Sequence, residues 1–483
     1  MLCSSAGMPR TGNTTSPIDS TVDDGGSEER AARAVPALTI AWALAEPHRV
    51  GEVAIFSGSG RSFLGRGGDD ELDQVVFARV RPGVVERTGS LAGNHLSRRQ
   101  IAIEVSGDDV EIENVGKLRM SVNGVEKKRA TLAAGDVVSL HRHSAFVFGL
   151  RPARMPKLGA DYPPCGFGEP DAFGIVGESA ACWEMREQLA LLARFDEHTL
   201  VLGESGTGKE LAARAVHALS RRARGPFVAR NAATIPDALV EAEVYGNRKD
   251  FPNAGMPESD GLIGAARGGT LFLDEIAEIT AARQAPLLRV FDRDGSYHRL
   301  GDPKPRKADV RFVCATNRSP GELKSDFAAR LTLRVELPPL DARREDIALV
   351  ARHVVLDDAQ RNPDAVGRFV RRDGRRPEIA IDPAFLLRLL RLEYPTNVRD
   401  LVRVLRQSVT ASRGDVLEAP PNLDDDRSGV VAVSDASAGI SEADMRLALE
   451  RQRWNLTHAA EQLGITRYKL MRLMRKYGLR DAG

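Results

Sequence analysis

Apolar and polar positions alternate differently in successive parts of the 483-residue chain. Residues 1 to 34 contain few large apolar side chains and many Ser, Thr, Gly, Asp and Glu residues, which predicts disorder. Residues 35 to 150 contain short apolar runs separated by Gly and Asp turns, which predicts an all-β sandwich. Its strands are expected at residues 53–56, 101–105, 110–113, 137–140 and 146–148.

Beyond residue 150 the periodic segments become longer. Residues 171 to 340 alternate strand and helix patterns, which predicts a mostly parallel, three-layer α/β core. Residues 341 to 412 have a helical pattern and would form a lid on that core, and residues 440 to 483 are helical again. Stretches rich in Pro, Gly or polar residues at 151 to 170 and 413 to 439 are predicted linkers. The fold class is therefore multidomain, with all-β, α/β and all-α parts.

Composition changes this picture only slightly. The formal net charge is +1, so the charge of the whole chain indicates no particular partner. The four cysteines form no C-x-x-C pair, which fits a reducing cytosol and argues against zinc or a disulfide framework. No apolar run approaches the ~18 residues of a membrane helix, and the N-terminus lacks a signal layout. We therefore expect a cytoplasmic protein with no membrane partner.

The strongest local motif begins at Gly203 and fits the phosphate-loop pattern G-x-x-x-x-G-K. It follows an apolar strand at 200 to 202 and opens a helical stretch at 210 to 219. Glycines permit the left-handed turns, successive backbone N–H groups face the phosphates, and the lysine reaches the β/γ oxygens. The motif predicts an ATP site formed by Gly203, Glu204, Ser205, Gly206, Thr207, Gly208, Lys209 and Glu210.

A second strand, at residues 269 to 273, ends in the carboxylates of Asp274 and Glu275. This pair suits an Asp that holds Mg²⁺ and a Glu that polarises water. Glu210 occupies the position where many phosphate loops place the Ser or Thr that binds Mg²⁺. Thr207, Asp274 or water must then supply that coordination.

Several ordered motifs resemble the AAA+ domain of sigma-54-dependent transcriptional activators, the bacterial enhancer-binding proteins. The resemblance covers residues 171 to about 410 and resumes at 440 to 480. Besides the phosphate loop, it rests on the segments Gly268-Gly-Thr-Leu-Phe-Leu-Asp-Glu-Ile276, Ala315-Thr-Asn-Arg318, Leu337-Pro-Pro-Leu340, Arg344-Glu-Asp-Ile347 and Pro395-Thr-Asn-Val-Arg-Asp-Leu401.

The resemblance implies a role for each residue that matches a family motif. Lys209 would bind phosphate and Asp274 would hold Mg²⁺. Glu275 would activate the attacking water, and Asn231 would restrain that Glu until ATP is sensed. The resemblance therefore makes the chain an ATPase with ATP and Mg²⁺ as cofactors.

Three further residues match the family positions that respond to nucleotide. Asn317 fits the first sensor near the γ-phosphate, and Arg399 fits the second sensor, which reaches the nucleotide from the lid. Arg330 fits an arginine finger supplied to a neighbouring subunit, which implies a homo-oligomeric ring, by analogy a hexamer. Lys324 stands where the family has a further Arg, and it lacks the planar guanidinium. The alternative role for Arg330 is a surface ion pair.

The main departure lies in the loop with which the family grips sigma-54. The family carries Gly-Ala-Phe-Thr-Gly-Ala, whereas this chain has Asp250, Phe251, Pro252 and Asn253, followed by Ala and Gly, in a stretch of equal length. Two hypotheses follow. Either the loop engages sigma-54 RNA polymerase in a modified way, or the chain is a sigma-54-independent DNA-binding regulator whose ATP site controls only oligomerisation.

The C-terminal segment resembles the Fis-type helix-turn-helix domain, especially over residues 459 to 467. Ser441 and Asp444 form a predicted capping box for its first helix. Two helices then flank a turn at residues 464 to 465, and basic residues are concentrated there. Because such domains dimerise, a palindromic DNA site is expected. The alternative is an ordinary solvated helix face; the candidate DNA-binding residues are Arg467, Tyr468, Lys469, Arg472 and Arg475.

The β-sandwich resembles a forkhead-associated domain, a reader of phosphothreonine. The residues that would bind phosphopeptide are Arg66, Ser97, Arg98 and Asn123. Gln100 replaces the His that usually follows the Ser by three positions. The alternative is a purely structural or self-associating sandwich.

These observations predict a bacterial transcription regulator that binds DNA and uses ATP hydrolysis to remodel sigma-54 RNA polymerase. A phosphothreonine protein would control it through the sandwich. A nucleotide-dependent phosphopeptide-binding scaffold is a further alternative, and sequence-specific DNA binding would count against it.

Overall fold

The structure is a computed structural model. It describes residues 34–67, 73–107, 109–153, 155–156, 158–159, 162–236, 239–279, 287–292, 295–318, 320–372, 374, 376–421, 423 and 441–452, with single positions at 454, 459, 462, 463, 470, 474 and 479. Disorder was predicted for residues 1 to 34; residues 1 to 33 lie outside the described residues, and Ala34 begins a strand. Most of the predicted linker at 413 to 439 also lies outside them.

Among the described residues, twelve antiparallel strands form a sandwich of two sheets. The larger sheet has the order β5-β4-β2-β1-β12-β11-β8-β9, and the smaller has the order β10-β7-β6-β3. The strands are β1 (Ala34–Ala43), β2 (Val53–Ile55), β3 (Gly60–Leu64), β4 (Phe77–Arg81), β5 (Val84–Gly89), β6 (Ile101–Ser106), β7 (Asp109–Asn114), β8 (Met120–Val122), β9 (Val125–Glu126), β10 (Arg129–Thr131), β11 (Val137–Leu140) and β12 (Ser144–Pro152). The all-β prediction and its five strand positions are confirmed.

The sandwich core lies between the two sheets. Ile40 and Phe146 of the larger sheet pack against Ile103 and Ile112 of the smaller one, as alternation along each strand requires. Strand β1 is unusual because its outward-facing residues, such as Ala41, are also buried. A second body must therefore cover the outer face of this sheet.

The central part contains five parallel strands in the order β14-β15-β18-β13-β19. Leu271 and Leu273 pack on one face of this sheet and Phe272 packs on the other, so both faces are covered. The strands are β13 (Thr199–Leu202), β14 (Phe227–Asn231), β15 (Thr270–Asp274), β18 (Arg311–Thr316) and β19 (Leu333–Glu336), and a small hairpin is formed by β16 (Ser296–Tyr297) and β17 (Arg306–Lys307). The helices are α1 (Ala180–Ala193), α2 (Lys209–Ala218), α3 (Val240–Tyr245), α4 (Gly261–Ala265) and α5 (Ser325–Arg330).

The lid is mainly helical, as predicted, but it also contains a two-stranded hairpin that the sequence pattern did not reveal. Its helices are α6 (Ile347–Arg361), α7 (Pro363–Val366), α8 (Pro383–Leu389) and α9 (Val398–Ala411), and the hairpin is β20 (Val370–Arg371) with β21 (Glu378–Ile379). Near the C-terminus, α10 (Glu442–Arg451) begins with the predicted capping box of Ser441 and Asp444.

The second body that covers β1 is the lid. Ala41 joins the same apolar cluster as Leu349 of α6, and Thr39 Oγ1 donates a hydrogen bond of 2.8 Å to Glu345 Oε2. The predicted linker at 151 to 170 is packed in its described part, since Arg81 of β4 donates to the carbonyl oxygens of Cys165 and Gly166. The sandwich is therefore docked on the central α/β part and its lid through buried contacts.

Three general features concern the described residues alone. None of their helices has both the length and the apolar character needed to cross a bilayer. They contain no cluster of His, Cys, Asp and Glu suited to a metal ion. Their cysteines, Cys165, Cys182 and Cys314, are free.

Candidate functional site

The phosphate loop joins β13 to α2, and its glycines have the backbone conformation that the motif requires. Gly206 and Gly208 have φ values of 77° and 99°, in the left-handed region that favours glycine. Lys209 Nζ donates to the carbonyl oxygens of Gly203 and Glu204 at 2.9 and 3.0 Å. Burial lowers the pKa of Lys209. The lysine is thus folded back over the loop, where it is positioned to bind a phosphate.

The two carboxylates stand at the end of β15, beside the neighbouring strand β14. Asn231 Nδ2 donates to Glu275 Oε2 at 2.9 Å, and Asn231 pairs with Asp274 in the strand register. Glu275 has a φ of 54°, and its N–H donates to Asp274 Oδ1 at 2.9 Å. Burial raises the pKa of Asp274. The structure therefore brings together Asn231, Asp274 and Glu275, as the sequence predicted.

The oxygen atoms available to a metal differ in their orientation. Thr207 Oγ1 donates to the Glu204 carbonyl at 2.9 Å, so this side chain stays inside the loop. Glu210 instead accepts a 2.7 Å hydrogen bond from Arg214 on the exposed side of α2. The hydroxyl of Thr207 and the carboxylate of Asp274 are ligand types that Mg²⁺ prefers, so the residues present fit this ion.

The lid contacts the phosphate loop directly. Arg399 Nη1 donates to Ser205 Oγ at 2.8 Å, which places this arginine beside the phosphate loop. Asn397 Nδ2 donates to Glu204 Oε2 at 3.1 Å and to the Ser205 carbonyl at 3.0 Å. Asn397 belongs to the segment at 395 to 401 that resembles the family, but the sequence predicted no role for it. Because Asn397 lies two residues before Arg399, the sequence could have predicted that it also contacts the phosphate loop.

Asn317 and Arg330 have different surroundings. Asn317 is exposed and directly follows β18, whose last residue, Thr316, accepts a hydrogen bond from the Gly203 N–H at 3.3 Å. Arg330 ends α5, where Nε donates to Asp292 Oδ1 at 2.8 Å and Nη1 donates to the Asp326 carbonyl. Arg330 is therefore held by an exposed carboxylate, outside the group of residues around its own phosphate loop.

The altered loop is an ordered hairpin with an exposed tip. Asn247 and Ser259 form an antiparallel bridge at its base. Asp250 Oδ1 accepts the Gly255 N–H at 2.8 Å, and Asp250 N–H donates to the Met256 carbonyl at 2.9 Å. The side chain of Phe251 is 41% exposed although it lies beside Gly301. Pro252 and Asn253 complete the exposed tip.

In the sandwich, three of the four candidate phosphopeptide residues lie together. The Arg66 N–H donates to the Ser97 carbonyl at 2.9 Å, and Arg98 follows directly. Ser97 Oγ accepts the Lys117 N–H at 3.1 Å. Gln100 is fully buried and accepts the Ser97 N–H through Oε1, while its Nε2 donates to groups of the neighbouring loop. Gln100 thus joins the two loops that carry this site.

Asn123 lies elsewhere on the sandwich. Its side chain donates to Asp136 Oδ1 and accepts the Val137 N–H, both at 2.9 Å, while its carbonyl accepts Arg391 Nη1 of the lid at 3.0 Å. The structure therefore places Asn123 at the contact between the sandwich and the lid, apart from Arg66, Ser97 and Arg98.

The candidate DNA-binding side chains fall outside the described residues. The described positions near them form a small apolar cluster around Met445, Leu449 and Leu470. The side chains not described are those of Arg467, Tyr468, Lys469, Arg472 and Arg475.

Comparison with known proteins identifies two domains of the chain. The family model of the Sigma-54 interaction domain matches residues 175–340, and the model of the bacterial regulatory protein, Fis family, matches residues 445–477. The regulatory protein AtoC of Escherichia coli is 34% identical over 328 residues, which cover 64% of this chain and 68% of AtoC. The response regulator protein PilR of Pseudomonas aeruginosa is 32% identical, over 62% of this chain and 69% of PilR.

One solved structure with similarity to the chain is NtrX from Brucella abortus in complex with ATP. It is 29% identical over 63% of this chain and 69% of its own, with a TM-score of 0.43. The two matched domains and the extent of the match to AtoC establish the family. The chain belongs to the sigma-54-dependent transcriptional regulators, with an AAA+ ATPase domain and a Fis-type DNA-binding helix-turn-helix.

Proposed function

We propose that this regulator hydrolyses ATP with Mg²⁺ in order to remodel sigma-54 RNA polymerase at promoters near its DNA site. The observation that carries the proposal is the hydrogen bond between Asn231 and Glu275 beside the phosphate loop. It joins two side chains 44 positions apart and leaves the carboxylate of Glu275 facing the same site as Lys209. Such an arrangement suits a general base that is held back until nucleotide is present.

Each residue then has a distinct task. Lys209 would move from the loop carbonyls onto the β/γ-phosphates, and Thr207 with Asp274 would hold the metal. Bound Mg²⁺ supplies positive charge that offsets the negative charge of the phosphates. Glu275 leaves Asn231 and accepts a proton from the attacking water. Because Asp274 has a raised pKa, its affinity for Mg²⁺ increases as pH rises and the carboxyl ionises.

Assembly completes the site. Arg330 is proposed to leave Asp292 and to reach the nucleotide of a neighbouring subunit in a ring, with a hexamer expected by family analogy. Asn317 and Arg399 contact the phosphates from the core and the lid of the same subunit. DNA binding by Arg467, Tyr468, Lys469, Arg472 and Arg475 to a palindromic site would bring dimers together and raise their local concentration.

The Asp250–Asn253 hairpin is the proposed contact with sigma-54. It is supported by the exposed phenyl ring of Phe251 on an ordered hairpin, since aromatic side chains are common energetic centres of interfaces. The experiment mixes the chain with purified sigma-54 and a transition-state analogue of ATP hydrolysis, and measures complex formation by gel filtration. Phe251→Ala is compared with Phe195→Ala, which removes another exposed phenyl ring, on the segment after α1.

A complex with the unchanged chain and Phe195→Ala, but not with Phe251→Ala or Lys209→Ala, is the expected result. Measurable ATP hydrolysis with no complex in any sample would contradict the proposal. It would favour the sigma-54-independent regulator whose ATP site controls oligomerisation.

A second proposed activity is binding of a phosphothreonine protein by the sandwich. It is supported by the proximity of Arg66, Ser97 and Arg98, because arginines and a hydroxyl suit a phosphate dianion. A degenerate phosphothreonine peptide library should bind the full chain, and its unphosphorylated counterpart should not. Arg98→Ala should lose this binding while Arg87→Ala, on an exposed part of β5, should retain it. Equal binding of both libraries would contradict phosphate recognition, and binding of neither would leave the sandwich a structural part only.

A further inference from the structure

The turn between α8 and α9 contains one buried polar side chain with an unusual backbone. Asn397 is 1% exposed and has a φ of 53° with a ψ of −130°. This backbone lies outside the αL basin that asparagine tolerates, so a side chain is strained there. The position therefore combines a backbone restriction with a polar group that must find partners inside the protein.

Those partners belong to two segments that are far from Asn397 in the chain. Asn397 Oδ1 accepts the N–H of Leu340, at the start of the lid, at 2.6 Å. Asn397 Nδ2 donates to Glu204 Oε2 at 3.1 Å and to the Ser205 carbonyl at 3.0 Å. One amide group thus joins the beginning of the lid, the phosphate loop and the start of α9.

The contacts are compatible with a bound phosphate. They use a carboxylate and a carbonyl of the loop, whereas phosphate binds to the backbone N–H groups of such a loop. The next residue along the chain, Val398, likewise donates its N–H to the Gly206 carbonyl at 3.2 Å. The lid therefore holds the loop from the side that faces away from the phosphates.

We propose that Asn397 is a positioning residue of the nucleotide site. By joining Glu204 and Ser205 to the lid, it keeps the phosphate loop in its binding conformation. It also keeps α9 at the distance from which Arg399 reaches Ser205 Oγ. This inference rests on the proposed ATP site, and it assigns the function of Asn397 to its side-chain donor as well as to its backbone.

Three variants of the full chain separate these contributions. Asn397→Gly keeps this backbone conformation and removes the side chain. Asn397→Asp keeps the shape but replaces the donor by a carboxylate that faces Glu204. The double variant Glu204→Gln/Asn397→Asp restores a donor between the two positions. Asn362→Asp, on the exposed end of α6, is the matched control.

The measurements are the dissociation constant of a fluorescent ADP analogue (N-methylanthraniloyl-ADP) and the kcat and KM of ATP hydrolysis. Asn397→Gly should raise the dissociation constant by about tenfold, the effect of losing the two hydrogen bonds that the side chain donates to the phosphate loop. Asn397→Asp should bind the analogue no more tightly than Asn397→Gly does. The double variant should bind it at least about threefold more tightly than Asn397→Asp does. Asn362→Asp should match the unchanged chain.

Two results would overturn the inference. One is an Asn397→Gly variant with unchanged nucleotide affinity and unchanged kcat. The other is a double variant no tighter than Asn397→Asp, because a merely structural role would give no such rescue. If the unchanged chain neither binds the analogue nor hydrolyses ATP, the proposed function itself fails, which is a distinguishable outcome.

Discussion

Removal of the Arg81 guanidinium should undock the sandwich from the ATPase part. Arg81 lies on β4, and its Nε donates to Glu178 Oε2 at 2.9 Å, with a second ion-pair contact through Nη2. It also donates to the carbonyl oxygens of Cys165 and Gly166 and lies over the ring of Phe167. One side chain thus connects the sandwich to the segment that leads into α1.

The size of the effect follows from the burial of Glu178, whose side chain is 3% exposed. Removing one partner of a buried ion pair costs about 3–5 kcal/mol because a charge is left uncompensated. The Gly168 N–H and Trp183 Nε1 still donate to this carboxylate in an Arg81→Ala variant. We therefore expect about 3 kcal/mol, the lower end of that range.

The assay is denaturant unfolding of the full chain, with hydrogen exchange of β1 measured in parallel. Arg81→Ala should separate the unfolding of the sandwich from that of the ATPase part and should increase exchange along the lid-facing side of β1. Arg87→Ala, an exposed arginine on the neighbouring strand, should unfold like the unchanged chain. Identical unfolding and exchange for Arg81→Ala and Arg87→Ala would refute the reasoning, because Glu178 would then not depend on its cation.

Three further predictions concern catalysis, pH and DNA. Glu275→Gln should bind ATP but hydrolyse it at least about 100-fold more slowly in a steady-state assay, and normal turnover would refute its role as base. Burial, with the nearby Glu345 carboxylate, raises the pKa of Asp346 to about 6. Its contribution to stability is therefore present below pH ~4 and lost as pH rises through 6, about 3 kcal/mol in all. Asp346→Asn should remove this component. The difference in unfolding free energy between the variant and the unchanged chain should therefore shift by about 3 kcal/mol between pH 3 and 7, and a constant difference would contradict the raised pKa. Arg472→Ala should weaken operator binding about tenfold in a gel-shift assay without changing ATP hydrolysis, and full affinity would misplace the recognition helix.

Much of the fold could be predicted because its signals are local. Strand β11 has the bounds that alternation indicated, and α2 differs from its prediction by one residue at each end. The capping box at Ser441 and Asp444 was readable because both partners lie within one turn of a helix. The β20–β21 hairpin of the lid escaped because each strand has only two residues, too few for a period to appear.

The candidate site could be predicted in part because short motifs identify its residues. Asn231 and Glu275 were both recognised through the family resemblance, and the hydrogen bond between them agrees with it. Asn123 was grouped with the phosphate-binding candidates, whereas its carbonyl faces Arg391 of the lid. A short motif identifies a turn, but it does not indicate which distant surface packs on that turn.

By itself, the sequence determined the order of the domains, the phosphate loop and the acidic strand end, because neighbouring residues set backbone conformation and strand or helix period. Only the tertiary structure decided that the lid covers the outer face of β1 and that Asn397 joins the lid to the loop. These contacts link residues about 190 or more positions apart in the chain. These contacts form because distant apolar faces pack together and buried polar groups pair across the fold. Local sequence patterns do not predict such long-range pairing.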